Sequence, residues 1–413
     1  MDSRNTGLQR RALVLISIST LLTMSVWFSA SVILAEFRDR WVISEGMGAL
    51  LTVSVQFGFV AGAILLVVSG VPDRVPIRVL FPIAAAGASG TNLLLLTIDS
   101  FGAGIVLRML TGVFLAAVYP SAVQSMATWF PAERRGKPMG VLIGALTVGS
   151  ALPHLIAGLG HANAAPVVIA TSIATASGGL LMVAVPGEGP YPFTRRKFKI
   201  REAVRSIKSP PVLLATVGYA GHMWELYAMW TWVGTFLAVF ASTQAGQLSI
   251  SGIALMAFAV IAVGGIGSVV GGILGDRIGK AKSASLSLLL SGLSAFALLW
   301  AEHIPLPMVV AICLFWGFWI IADSGQFSAL LSEYCDPRYI GSALTTQLAL
   351  GFLVTTGSIS LLPYVASKWS WELALPILAA GPLVGLIAMA WLLRIEKQYQ
   401  ISPHAGQISP QLI

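Results

Sequence analysis

The sequence predicts an all-α polytopic membrane protein, twelve transmembrane helices in two pseudo-symmetric six-helix bundles. Three observations carry this reading: an apolar composition, twelve long apolar runs, and an internal repeat around a basic linker. Of 413 residues, 56% are hydrophobic and only 10% charged, with a mean hydropathy of +0.83. A water-soluble domain carries about 25% charged residues. Each run is at least about as long as the roughly 20 helical residues that cross a hydrocarbon core. The runs are continuous rather than alternating, and helices satisfy their own backbone in lipid, so a β-barrel is excluded.

The first six runs are Ala12 to Ala35, Gly48 to Ser69, Val79 to Ile98, Gly102 to Trp129, Met139 to Leu159 and Ala165 to Val185. The first follows Arg4, Arg10 and Arg11. It is too long for the apolar core of a signal peptide and is read as a retained span. The connector Pro186 to Pro210, with Arg195, Arg196, Lys197, Lys199, Arg201, Arg205 and Lys208, divides six runs from six. The second six are Val212 to Phe240, Ile253 to Leu274, Ser283 to Trp300, Pro307 to Leu331, Ser342 to Val365 and Trp371 to Leu393. The chain thus divides into a cytoplasmic N-terminal tail (1–11), a first bundle (12–185), a basic cytoplasmic linker (186–210), a second bundle (211–394) and a cytoplasmic C-terminal tail (395–413).

The net charge of +8 invites a nucleic-acid reading, which its distribution removes. With the N-terminus inside, the tails and even-numbered loops hold 21 of the 25 Lys and Arg residues; only Arg38, Arg40 and Lys368 fall outside, and Arg108 lies within a span. That asymmetry is the positive-inside pattern of an inner-membrane protein with both termini cytoplasmic. Cys313 and Cys335 form neither a disulfide framework nor a metal cluster and read as packing residues. No metal cluster, phosphate-cradling Gly-Lys-Ser/Thr loop or nucleophile elbow is visible, so neither an enzyme nor a cofactor nor ATP-driven transport is expected.

The repeat appears at an offset of 203 residues. Asp73-Arg74 after span 2 matches Asp276-Arg277 after span 8, Trp27 matches Trp230, Glu133 matches Asp336, and Arg135 matches Arg338. Gly272-Ile273-Leu274-Gly275-Asp276-Arg277-Ile278-Gly279-Lys280 resembles the loop signature of the major facilitator superfamily. Ser69-Gly70-Val71-Pro72-Asp73-Arg74-Val75-Pro76-Ile77-Arg78 is a degenerate copy with Ser and Pro where that family has Gly. Arg108-Met109-Leu110-Thr111-Gly112 is similar to the family's second motif. The resemblance implies the major facilitator fold, with spans 1, 4, 7 and 10 lining a central cavity and a latch at the cytoplasmic end. Asp73, Arg74, Arg78, Glu133, Arg135, Asp276, Arg277, Lys280, Asp336 and Arg338 are the latch candidates. Glycines permit the tight turn, and the acids and bases can bond across the halves; the alternative is that these charges only fix topology. Gly221 to Tyr227 and Trp27 to Ser31 are similar to bacterial anion porters of the cyanate and nitrate type, but span 8 has no Arg, which argues against nitrate itself.

Charges inside spans cost on the order of 3 kcal/mol each and mark pathways or relays. Three stand out: Arg108 on span 4, Glu225 on span 7 and Asp323 on span 10. Helical spacing groups His222, Glu225, Met229 and Trp232 on one face, Trp316, Trp319, Asp323 and Gln326 on a second, and Arg108, Thr111, Leu115 and Tyr119 on a third. With Trp27, these faces are expected to line a mixed pocket. Glu225, Asp323, Arg108 and His222 are the proton-coupling candidates; the competing reading pairs Arg108 permanently with an acid to hold helices together. His154, following Pro153, is expected to satisfy a carbonyl freed by a kink. Trp224 and Trp230 lie off the Glu225 face and are expected to pack, with a gate role for Trp230 left open by its match to Trp27. Trp129, Trp300 and Trp369 are expected as interfacial anchors.

The expected function is secondary active, proton-coupled transport of a small organic solute, a carboxylate or other anion, by alternating access. The alternatives are a multidrug or lipophilic-cation exporter and a non-transporting solute sensor. Expected partners are the solute, protons and the lipid bilayer, with no nucleic acid and the monomer as the working unit.

Overall fold

The computed structural model describes residues 3–131, 134–160, 163–191, 209–244, 248–336 and 340–399, and these residues contain helices and no strand. The linker bases Arg195 to Lys208 and the latch candidates Glu133 and Arg338 lie outside the described residues, as does the side chain of Asp73.

Among the described residues, ten segments are long and apolar enough to cross a membrane. In the first half they are span 2 (Glu45–Ser69), span 3 (Ile77–Leu93 with a 3-10 turn Leu94–Thr97), span 4 (Phe101–Trp129), span 5 (Gly136–Gly158) and span 6 (Ala164–Val183). In the second they are span 8 (Ile250–Ala262 and Gly264–Ile278), span 9 (Lys280–Ala297 with Leu298–His303), span 10 (Leu306–Trp319 and Ser324–Tyr334), span 11 (Ile340–Lys368) and span 12 (Trp371–Ala374, Leu375–Ala379 and Ala380–Tyr399). Helices Ser3–Met24 and Pro210–Gln244 stand where the first and seventh runs are expected. Gln9, Arg10 and Arg11 dilute the hydropathy of the one, and His222, Glu225 and several Trp and Tyr residues that of the other. The 35 residues of Pro210–Gln244 reach about 50 Å at about 1.5 Å per residue.

Helix starts follow from local chemistry. Ser44 Oγ accepts from the Met47 amide at 3.2 Å and Ser249 Oγ from the Gly252 amide at 3.1 Å, each satisfying one amide that the first turn leaves free. Two interruptions have no such local cause. Span 1 leaves helical geometry over 25–28 before resuming as Ser29–Val32 and Leu34–Trp41, and span 10 does so over 320–323. Neither stretch contains Gly or Pro.

The halves meet along spans 5 and 8. Ser268 Oγ donates to the Gly140 carbonyl at 3.0 Å. A methyl group placed on Gly144 would lie 2.8 Å from the Gly265 carbonyl oxygen, so glycine sets how closely these backbones approach. The seam continues to Leu255 beside Gly158 at one end and Asp276 beside Gly136 at the other. Trp300 and Trp369 are exposed, as anchors require, but Trp129 is not: it is buried, and its carbonyl accepts from Gln9 Nε2 at 3.0 Å. The helix that begins at Ser3 packs over the end of span 4 and covers it. Cys313 and Cys335 are both buried, and neither is in a disulfide.

Candidate functional site

Arg108 is fully buried and is held within the first half. Its Nη1 donates to the Val26 carbonyl at 3.0 Å, Ser29 Oγ at 3.3 Å and Asn92 Oδ1 at 3.3 Å, its Nε to the Leu51 carbonyl at 3.4 Å, and its Nη2 to the Trp27 carbonyl. Two of these carbonyls belong to the unwound stretch of span 1, where regular helical bonds are lost: Val26 keeps only a 3.4 Å bond from the Ser29 amide, and Trp27 has no backbone donor. The guanidinium fork replaces those bonds, so Arg108 fixes the break and with it the position of Trp27. Asn92 is placed in turn, donating to Ser172 Oγ at 3.0 Å and Thr171 Oγ1 at 3.2 Å while accepting from Ser29 Oγ at 2.7 Å. Gly112, four residues on, lets span 4 lie against the Val55 carbonyl of span 2. The pairing of Arg108 with a membrane acid, the competing reading, does not form: every acceptor it meets is neutral.

The acids lie in the second half. Glu225 is buried, with Oε1 accepting from Trp316 Nε1 at 2.7 Å and Oε2 from Ser291 Oγ at 2.9 Å. Asp323, also buried, has Oδ1 2.8 Å from His222 Nδ1. That contact is close but off the hydrogen-bonding direction, and His222 Nε2 has no partner. Asp323 stands at the N-cap position of Ser324–Tyr334, immediately after the break in span 10.

Between the halves sits an aromatic cluster. Trp27 contacts Phe59, Tyr227 and Phe352 at ring-centroid distances of 5.3, 5.7 and 5.6 Å. Phe28 contacts Trp230 at 5.9 Å, Tyr227 contacts Trp230 at 5.5 Å, and Phe59 contacts Phe352 at 4.5 Å. Each half thus inserts a tryptophan of the repeat, Trp27 or Trp230, against rings of the other. Both indole N–H groups are buried without a partner, as are both amide atoms of Gln56. Gln56 lies one turn from Thr52, which bonds Ser31 of span 1 at 2.6 Å, and one turn from Phe59, so it faces the cluster. A cavity of about 110 Å³ lies beyond Phe59, lined by Ala116, Pro120, Ser121, Gln124 and Leu348. At about 30 Å³ per water it holds a few waters, well short of the roughly 300 Å³ of a solute site.

The expected faces are redistributed. Trp316, Trp319, Asp323 and Gln326 do not form one stripe, because span 10 is interrupted between Trp319 and Asp323. Trp316 turns to Glu225, Trp319 lies tilted against the exposed Phe315, and Gln326 Nε2 donates to the Gly271 carbonyl of span 8 at 3.0 Å. On span 7, Glu225 points to spans 9 and 10, Met229 is fully buried, and Trp232 Nε1 donates to the Ile359 carbonyl of span 11 at 2.9 Å. Trp224 Nε1 donates to the Ile377 carbonyl at 3.4 Å. His154 does not bond a freed carbonyl; its Nδ1 is buried without a partner and its ring faces Gly234 of span 7.

Of the latch candidates, Asp276 reaches across the halves, where its Oδ2 lies 3.0 Å from a methyl group placed on Gly136, the first residue of span 5. Lys280 pairs with Glu333 within its own half, Arg78 Nη2 donates to the Val183 carbonyl at 2.8 Å within the first half, and Arg135 Nε donates to the Phe130 carbonyl at 2.8 Å. Arg74 and Arg277 are exposed, and Asp336 is half-buried. Sequence reasoning missed Asn92, Ser291, Gln56, Tyr227 and Phe352. A signal existed for Gln56, the sole amide or charged side chain in its apolar run.

Comparison with known proteins gives this architecture its context. A stretch of 159 residues, 38% of this chain and 40% of the relative, is 28% identical to the uncharacterized transporter YgaY of Escherichia coli. Another of 145 residues, 35% of this chain and 32% of the relative, is 27% identical to the gentisate transporter of Corynebacterium glutamicum. The aligned stretches therefore span about two fifths and one third of those relatives. The fold is similar to crystal structures of the nucleoside transporter NupG (TM-score 0.71, 12% identity, 92% of this chain and 99% of that one) and of a bacterial homolog of the human lysosomal transporter Spinster in an inward-facing, unoccupied conformation (TM-score 0.66, 16% identity, 98% and 99%). The model of the Major Facilitator Superfamily matches residues 16–356, and the chain belongs to that family of transporters.

Proposed function

We propose that this chain is a twelve-span secondary active transporter of the bacterial inner membrane, both termini cytoplasmic, that carries a small organic anion together with protons by alternating access. The observation that carries the reading is the division of membrane charge. Arg108 sits in the first half among neutral acceptors, and Glu225 and Asp323 sit in the second with neutral donors and one histidine. Neither acid is locked in an ion pair with an Arg or Lys, so each can accept a proton without breaking one. With both acids protonated, the charge of Arg108 stands uncompensated in a low-dielectric interior, which favours an anion between the halves. Loss of those protons restores the balance and weakens the hold on the anion, which couples the two fluxes. The gentisate transporter among the relatives is consistent with an organic acid as cargo.

The seam at the basic-loop end supplies the conformational element. Asp276, at the end of span 8, places a carboxylate beside the start of span 5, the positive end of that helix's dipole, an interaction worth about 0.3–1 kcal/mol that is easily broken and remade as the halves rock. The test is uptake into proteoliposomes of labelled organic acids and lipophilic cations, with and without an inward proton gradient, in wild type and Glu225→Gln. Gradient-driven uptake of an acid that the substitution abolishes, with exchange retained, is expected. Gradient-independent flux in both proteins removes coupling, and exchange of a cation alone replaces the reading with lipophilic-cation export.

A further inference from the structure

The aromatic cluster between the halves has a polar character that packing does not explain. Trp27 and Trp230 occupy equivalent places in the repeat, are 2% and 0% exposed, and each leaves its Nε1–H without an acceptor. Gln56 adds an unpartnered amide from the same side. Buried donors without acceptors are costly enough that nearly all buried polar groups in proteins are paired. Trp232, Trp224 and Trp316 donate to oxygen acceptors, while Trp41 and Trp129, away from this cluster, also leave a buried N–H unpaired. The two exceptions in this cluster are those that cross from one half to the other.

Resting on the proposed transport of an organic anion, we propose that this cluster is the recognition site and that its substrate class is the planar aromatic acids. Two indole N–H groups and the Gln56 amide form an acceptor-seeking set, in which donors outnumber the single acceptor, Gln56 Oε1. A carboxylate offers up to four lone-pair positions and fills such a set. The walls are the faces of Trp27, Phe59, Tyr227 and Phe352, which stack on a flat ring and gain less from an aliphatic chain. Arg108 holds the Trp27 carbonyl and lies behind this wall, so it contributes its field without touching the solute. In this closed arrangement the rings fill one another's space, and the solute replaces these ring contacts when the halves part.

The test is equilibrium binding to the purified full-length protein in detergent at fixed pH, which needs no gradient and therefore stands apart from coupling. The probes are 4-hydroxybenzoate, benzoate, cyclohexanecarboxylate, uridine and tetraphenylphosphonium. The two aromatic acids are expected to bind at least about tenfold more tightly than the saturated ring acid. Trp27→Phe and Trp230→Phe, which keep the ring and remove the N–H, are each expected to weaken 4-hydroxybenzoate about tenfold, as the loss of one hydrogen bond to a charged group implies. Equal binding of the saturated acid, or unchanged affinity in both Phe variants, overturns the proposal. So does binding of uridine or the phosphonium without the aromatic acids. The comparison of probes in wild type stands even where a variant fails to fold. Binding of aromatic acids with gradient-independent flux upholds this site and removes coupling; coupled uptake of aliphatic acids alone does the reverse.

Discussion

The two halves descend from one pattern yet treat buried charge in opposite ways. In the first, all three guanidinium nitrogens of Arg108 are engaged, by five acceptors that are neutral groups of spans 1, 2 and 3. In the second, Glu225 has one donor per oxygen, and Asp323 faces a histidine whose other nitrogen is free. A guanidinium does not give up its proton in a protein and, once fully bonded, acts as a fixed brace. Carboxylates without an Arg or Lys partner are able to change state. On the proposed reading, one half supplies a constant field and the other the variable one.

Replacing the brace has the largest expected effect. Arg108→Met strands the Trp27 carbonyl and removes a donor from Val26, Ser29, Leu51 and Asn92, and should cost about 1–3 kcal/mol, seen as a lower unfolding temperature in detergent. Arg108→Lys, with three donors for five acceptors, should lie between the two. Stability equal to wild type in both would mean that the span 1 break holds itself.

Changing the variable half should leave stability nearly intact and alter coupling. With a one-unit pH gradient, one coupled proton supports about tenfold accumulation, because one unit is about 1.4 kcal/mol. Glu225→Gln and Asp323→Asn should each reduce that accumulation in proteoliposomes while retaining exchange, and full accumulation in both would break the assignment. Trp316→Phe, removing one hydrogen bond of about 1–3 kcal/mol from Glu225, should move the pH profile of uptake without abolishing it. An unmoved profile would assign Trp316 to packing.

The smallest effect belongs to the seam. Asp276→Asn should weaken the contact with the start of span 5 by about 0.3–1 kcal/mol. A cysteine at Gln124, which lines the cavity at this end, should then be labelled about two- to fivefold more. Unchanged labelling would leave Asp276 a topological charge.

Much of the fold was legible because hydropathy and loop charge act on whole segments and tolerate errors of a few residues. The position of each charge along the chain was equally legible. Its direction was not, because the faces assigned to spans 4, 7 and 10 assumed uninterrupted helices and a cavity as the natural destination of charge. The breaks at 25–28 and 320–323 carry no Gly or Pro. The first is held by Arg108, 81 residues away from Trp27 along the chain, and such a tertiary cause leaves no local mark. Trp230 shows the opposite case: helical spacing from Glu225 assigns it to packing, whereas its match to Trp27 in the repeat finds the cluster.

The most direct test of the division between a fixed and a variable half is the number of protons taken up when the solute binds, read with a pH indicator in weakly buffered detergent. The account predicts net uptake in wild type and in any Arg108→Lys protein that folds, and reduced uptake in Glu225→Gln or Asp323→Asn at matched occupancy. Solute binding with no proton uptake in wild type, or uptake undiminished when both acids are replaced together, would contradict it.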